Sequence, residues 1–265
     1  MGTLVSYATD KGVAVLALTD PPLNAYTHET LKELDACILE ARFDDDVHVI
    51  VLTGQGDRHF CAGANVNMLK EADATFTYYF LLHASETLLR LENTPKLVIA
   101  GINGHCLGGG MEIALACDLR IARGGVPLQM GLNQVELGIL PGLGGSQRLA
   151  RLVGKARAME LMVEGQTLTA EQALSAGWIH KLWNTDTLDA FMASLMDYAH
   201  AFCPPGRAAL AVGDIKRAVQ GGADGPLEHG LALERELQRR LLQSYDAKEG
   251  LLAFTQKRKP SFRAE

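Results

Sequence analysis

The order of apolar and polar positions predicts alternating strands and helices over the first two thirds of the chain. Residues 4–8 and 13–18 place alternating apolar positions on either side of Asp10-Lys11-Gly12, the pattern of a hairpin. Leu31, Leu34, Ile38 and Ala41 recur at helical spacing and predict an amphipathic helix over 28–42. Three aspartates then lead into the apolar run 47–52, and a second run covers 97–102 after a helical stretch over 76–91. Near-continuous apolar runs, interrupted in the first only by His48, are expected of strands buried on both faces. A short helix over 111–117 and a third strand over 119–122 follow, and 124–145 reads as loop. Thr169 and Gln172 form a capping box for a short helix that Gly177 ends, and 179–182 reads as a last strand.

Strand, helix and strand at this spacing imply an α/β layered architecture with crossovers. After Trp183 the pattern changes to four helical stretches, 188–202, 207–220, 227–245 and 246–257, divided by Pro204-Pro205 and Gly221-Gly222. The expected organisation is an α/β core over 1–183 and a helical region over 184–265. That region is too thin for a core of its own and is expected to cover the α/β part or a neighbouring subunit. No fixed-period repeat is visible.

Composition acts mainly by exclusion. A chain of 265 residues, 48% hydrophobic and 21% charged, is globular rather than disordered. No apolar run approaches the roughly 20 residues of a membrane span, and residues 1–20 lack the basic-then-apolar order of a secretory signal. A net charge of −6 disfavours a nucleic-acid partner. The five cysteines (Cys37, Cys61, Cys106, Cys117, Cys203) are scattered, odd in number and without a CxxC pair. That fits a reduced, cytoplasmic setting better than a disulfide framework or a zinc site.

Two glycine-rich segments stand out, each shortly after an expected buried strand. One is His59-Phe60-Cys61-Ala62-Gly63-Ala64-Asn65. The other is Asn103-Gly104-His105-Cys106-Leu107-Gly108-Gly109-Gly110-Met111-Glu112, which also opens a helix. Small residues let a ligand approach the backbone. Two N–H donors from separate loops can converge on one oxygen and stabilise charge that develops there. Tight turns and close packing would equally account for the glycines. Glu112, in the first helical turn, is a candidate general acid/base, though the helix dipole alone also favours a carboxylate there. His105 reads as a packing or capping residue. The aromatic positions Phe76, Tyr78, Tyr79 and Phe80, within 72–83, could line an acyl pocket or form a core stripe.

Other motif readings fail. Gly142-Leu143-Gly144-Gly145 is not followed by the Gly-Lys-Ser/Thr of a nucleotide-phosphate loop, and Gly145-Ser146-Gln147 lacks the second glycine of a nucleophile elbow. No His-Glu-x-x-His or other metal-ligand spacing occurs.

The first segment, the second segment and Leu137-Gly138-Ile139-Leu140-Pro141-Gly142-Leu143-Gly144-Gly145-Ser146-Gln147-Arg148 together resemble the enoyl-CoA hydratase/isomerase (crotonase) family. Pro22-Leu23-Asn24-Ala25 and the stretch 249–258 extend the resemblance over nearly the whole chain. It implies a spiral of ββα units with C-terminal helices that form a trimer, commonly a dimer of trimers. It implies an acyl-CoA substrate whose thioester oxygen accepts hydrogen bonds from the Ala64 and Gly109 N–H groups. No metal or cofactor is implied, since coenzyme A enters with the substrate. The CoA contacts it implies are Asn24, Ala25, Ala62, Ala64, Asn65 and Val66, with Phe254 and Lys257 meeting the CoA nucleotide from a neighbour. Glu112 takes the place of the first of the two glutamates usual in the hydratases. The second place, four residues before Gly138, holds Gln134, and Glu136 could serve only through a register shift. A glutamine can hold a water but cannot give and recover a proton, which weakens isomerisation more than hydration. The expected function is therefore reversible hydration of an α,β-unsaturated acyl-CoA. The alternatives are another enolate reaction (decarboxylation, hydrolysis or isomerisation) or a non-catalytic acyl-CoA binder.

Overall fold

The computed structural model describes residues 3–265. The chain opens with β1 (Val5–Asp10), β2 (Val13–Leu18), α1 (His28–Phe43), β3 (Val49–Gly54), β4 (His59–Cys61), α2 (Val66–Glu71) and α3 (Ala74–Glu92). It continues through β5 (Leu97–Ile102), β6 (His105–Leu107), α4 (Gly109–Leu115), β7 (Leu119–Gly124) and β8 (Gln129–Gly131). A 3₁₀ turn (Gln134–Leu137) precedes α5 (Gly145–Val153), α6 (Lys155–Val163), β9 (Thr167–Thr169), α7 (Ala170–Ser175) and β10 (Lys181–Asn184). Four helices close the chain: α8 (Leu188–His200), α9 (Ala209–Ala223), α10 (Leu227–Leu241) and α11 (Tyr245–Thr255).

The hairpin forms where expected. Asp10 pairs with Val13, leaving Lys11 and Gly12 as a two-residue loop with φ of 46° and 88°. Positive φ at both central residues gives the turn whose twist matches that of the strands. The six-stranded sheet has the order β1-β2-β3-β5-β7-β10 and is parallel apart from the first pair.

Alternation along its central strands sorts their side chains into two cores. Ile50, Leu52, Val98, Ala100 and Ile102 face the core shared with α1 and α3. Val49, Val51, Ile99 and Ile121 face a second core completed by Phe191, Leu195 and Ala199 of α8. A Cβ on Gly101 would lie 2.2 Å from a Leu195 methyl, so α8 rests directly on the sheet. α8 therefore covers one face of the sheet. α9 is latched to the same layer: the buried Lys216 Nζ lies 2.9 Å from the Asp118 carboxylate and donates to Lys96 O at 3.1 Å.

A second sheet, β4-β6-β8-β9, was not expected from the sequence. Its strands are three residues each, too short to show a period of two. It carries the two glycine segments: β4 pairs in parallel with β6, His59 with His105 and Cys61 with Cys106. The last strand of the large sheet begins at Lys181, two residues later than expected, because Trp178 and Ile179 are buried in the turn before it. The helix expected over 227–245 ends at Leu241, and Ser244 caps α11 instead.

Candidate active site

Both glycine segments leave the small sheet on the same side. Beyond β4 the chain passes Ala62, Gly63 and Ala64 into α2; beyond β6 it passes Gly108 and Gly109 into α4. The two runs touch. A Cβ on Gly63, whose φ of 102° already favours glycine, would lie 3.2 Å from the Gly109 nitrogen. A Cβ on Gly110 would lie 2.1 Å from Cys61 O, so these glycines permit backbone-to-backbone packing of the two loops.

The segment 22–26 is the third wall. Ala62 N donates to Leu23 O at 3.0 Å, Tyr26 N to Gly63 O at 3.0 Å, and Asn65 N to Tyr26 O at 2.9 Å. The structure thus gathers Asn24, Ala25, Ala62, Ala64, Asn65 and Val66 in one region. Two of them spend their side chains inside the protein. Asn24 Nδ2 donates to His59 O at 2.7 Å and Gln55 O at 3.0 Å. Asn65 Oδ1 caps α2 by accepting from Asn67 N and Met68 N. Asn24 Oδ1 is left buried without a partner among the described residues. Val66 is exposed. Phe254, 84% exposed, lies on α11, and Lys257 follows just after it.

Glu112 is 1% exposed. Its carboxylate is held at the start of α5: Oε1 accepts from Leu143 N and Gly145 N, both at 2.7 Å, and Oε2 accepts from Gln134 Nε2 at 3.0 Å. A Cβ on Gly145 would lie 2.8 Å from Glu112 Cγ, so glycine there is a requirement of the approach. The glycine run that fails as a nucleotide loop therefore does cradle an anion, one supplied by the chain itself. The loop is braced by Arg148, which donates to Leu143 O at 2.7 Å and forms a two-point pair with Glu92 at 2.8 and 2.6 Å.

Burial pushes the Glu112 carboxyl up to about 7, against the Gly145 and Leu143 N–H groups, the Arg148 charge and the Gln134 amide, which pull it down. A carboxyl balanced there can both take and return a proton at neutral pH. Gln134 Nε2 is committed to Glu112, while its buried Oε1 has no partner among the described residues. Glu136 is exposed and accepts from Asn133 Nδ2 at 3.2 Å, so Gln134 rather than Glu136 faces Glu112.

The other sequence candidates have structural occupations. His105 Nδ1 accepts from Gln129 N at 3.1 Å. All five thiols are free and buried, and burial raises Cys61 to about 12 and Cys106 well above the ordinary thiol range. The aromatic segment divides: Phe80 is buried in the core, Phe76 is half-exposed, and Tyr78 and Tyr79 face solvent. Tyr26 escaped the sequence reading, yet its hydroxyl sits where a Gly109 side chain would begin. Among the described residues no group of His, Cys, Asp and Glu side chains is placed to hold a metal ion, and no helix is long and apolar enough to cross a membrane.

Comparison with known proteins agrees with this geometry. A family profile described as Enoyl-CoA hydratase/isomerase matches residues 8–265. A short-chain-enoyl-CoA hydratase of Clostridium acetobutylicum is 37% identical over 93% of this chain and 92% of its own. A probable enoyl-CoA hydratase of Bacillus subtilis is 35% identical over 98% and 99%. The crystal structure of an enoyl-CoA hydratase from Geobacillus kaustophilus superposes with a TM-score of 0.95 at 37% identity, covering 100% of this chain and 98% of that one. The sheet order, the paired glycine loops and a match reaching from residue 8 to the C-terminus lead to one assignment: this chain belongs to the enoyl-CoA hydratase/isomerase family of enzymes.

Proposed function

We propose that the chain adds water reversibly across the α,β double bond of an acyl-CoA, with Glu112 as its single proton carrier. The observation that carries this reading is the Glu112–Gln134 pair. Glu112 is poised to exchange a proton, and Gln134 keeps a buried Oε1 free of any partner among the described residues while its Nε2 is spent on Glu112. A water that donates one hydrogen to Gln134 Oε1 and the other to Glu112 is oriented and activated together. Ionised Glu112 takes a proton from that water as its oxygen bonds to Cβ of the enoyl group. The double-bond electrons move to the thioester oxygen, giving an enolate that the Ala64 and Gly109 N–H groups stabilise. Glu112 then returns the same proton to Cα, so exactly one water is added and the carboxylate is regenerated.

This chemistry needs no cofactor beyond the CoA that enters with the substrate. Isomerisation is disfavoured because Gln134 offers no second carboxyl. The exposed apolar residues Ile215, Val219, Leu227, Leu251 and Phe254 on α9 to α11 support assembly into a trimer or dimer of trimers. In such an assembly Phe254 and Lys257 reach the CoA of a neighbour. Five buried, unpaired thiols support a reducing, cytoplasmic setting.

The test is to incubate the protein with a mixed library of enoyl-CoA and saturated acyl-CoA esters and read products by mass spectrometry. Products heavier by one water are expected. Loss of carbon dioxide, release of free CoA, or a double-bond shift without mass change would each assign a different enolate reaction. Tight binding with no product would replace the enzyme reading by that of a binder. A monomer by light scattering at micromolar concentration would remove the assembly.

A further inference from the structure

Tyr26 touches both donor loops. Its backbone forms a parallel bridge with Ala64 and is hydrogen-bonded on either side of that residue, to Gly63 O and Asn65 N. Its ring ends against the second loop. A Cβ on Gly109 would lie 1.9 Å from the Tyr26 hydroxyl oxygen and 2.6 and 2.7 Å from Cζ and Cε1. The ring cannot easily recoil, because Tyr26 is 2% exposed and stacks on Phe80, itself 2% exposed, at 6.3 Å between centroids.

The sheet does not do this work. The β4–β6 ladder shifts register between His59 and Cys61 and has its last pair at Cys61 and Cys106. Ala64 and Gly109 both lie beyond it. Past the ladder the loops meet directly at Gly63, where no side chain can act as a spacer.

We propose that Tyr26 is a positioning residue, a rigid spacer that fixes how the Ala64 and Gly109 N–H groups approach one oxygen; the proposal rests on the enoyl-CoA reading above. Two donors to a single oxygen must each sit about 3 Å from it with good alignment. A residue anchored by its backbone to one donor and pressed by its ring tip on the other sets that spacing. Tyr26 also accounts for glycine at 109, since any side chain there would displace the ring.

The test compares wild type with Tyr26→Leu and Tyr26→Phe, using the best enoyl-CoA from the library. Three quantities are read: kcat, KM, and the carbonyl stretch of the bound thioester by difference infrared spectroscopy. Misplaced donors cost about 10²-fold in kcat for Tyr26→Leu, while KM stays within about threefold because the CoA contacts are intact. The shift of the bound carbonyl to lower frequency shrinks in parallel. Tyr26→Phe keeps the ring carbons against Gly109 but lacks the hydroxyl that meets it first, so it recovers about tenfold of the lost rate and stays about tenfold below wild type. Should the leucine variant fail to fold, the phenylalanine variant carries the test through a smaller loss of kcat and of carbonyl shift. A folded variant with wild-type kcat and carbonyl shift overturns the proposal alone. A wild-type protein that neither binds nor hydrates any enoyl-CoA overturns the parent reading and this one with it.

Discussion

Glu112 and Glu249 are both buried glutamates whose carboxylates accept backbone N–H groups, and they are tuned in opposite directions. Glu249 on α11 is gripped by Arg258 through two bonds of 2.6 and 2.8 Å and accepts from Ser261 N at 2.9 Å, and its carboxyl is pulled down to about 2. Glu112 has three neutral donors and no cation in contact. Arg148 is near enough to act through space but is paired with Glu92, and burial wins, leaving Glu112 at about 7. A contacting cation fixes a charge; neutral donors around a desolvated carboxylate keep the proton exchangeable. The first arrangement ties the tail after α11 to its helix. The second suits a group that must gain and lose a proton in every turnover.

The largest effect separates the two by function. Glu112→Gln keeps the size of the side chain and removes the proposed proton carrier, so kcat should fall roughly 10²–10⁴-fold. The protein stays folded, as circular dichroism would show. Hydration that persists at the wild-type rate in this variant would end the assignment of Glu112.

The next effect concerns pH. In the proposed mechanism Glu112 must be ionised to start the reaction in either direction, since it takes the first proton from water in hydration and from Cα in dehydration. kcat/KM for both directions should fall about tenfold per pH unit below a shared midpoint near 7. Gln134→Glu sharpens the point. It puts a second carboxylate where the amide now lies 3.0 Å from Glu112 Oε2. The two groups then share one proton, and the acid limb moves to higher pH and splits into two steps. An unmoved limb would show that residue 134 does not face Glu112 during turnover.

The sequence made some of this legible and hid the rest for physical reasons. Residues 49–52 and 97–102 are apolar throughout because helices cover both faces of their strands, so the pattern survives without context. The small sheet was invisible because three-residue strands have no readable period. α5 and α6 were missed because they start after Gly144 and Gly154, positive-φ glycines with no side-chain cap to announce a helix. Glu112 could be singled out from its place after a glycine loop, and Gln134 only through resemblance to a family. Its true cradle, the Leu143 and Gly145 N–H groups, lies more than thirty residues downstream and contributes backbone atoms alone. Tyr26 carried no signal, since its role depends on a contact with Gly109 that only the fold creates.

Stability should respond to pH with opposite signs at the two glutamates. Glu112 binds its proton more tightly in the native state than in the unfolded chain, where the ordinary value is 4.5. Its contribution is therefore full below about 4.5, declines as pH rises, and is gone above 7. Relative to wild type, Glu112→Gln should gain up to about 3 kcal/mol between pH 5 and pH 8, read from urea unfolding midpoints. An unfolding difference that does not change over that interval would contradict the raised value.

Glu249 is the smaller and reverse case. Its carboxyl is held low in the native state, so its contribution is present above the ordinary 4.5 and is lost as pH falls toward 2. Arg258 is partly exposed, and solvent and salt screen the pair. Glu249→Gln should lower Tm at pH 7, and the deficit should narrow on acidification from pH 4.5 to pH 3 and on raising ionic strength. The site offers a control within the same molecule, because Glu112→Gln should move Tm the other way at pH 8 and be nearly insensitive to salt. If both variants lose stability at pH 8 by similar amounts, the contrast between a contacting cation and neutral donors is not what sets the two carboxyls apart. If only Glu249→Gln responds to salt, the Arg258 charge is the source of its low value, and the absence of such a partner at Glu112 is what leaves that proton free to move.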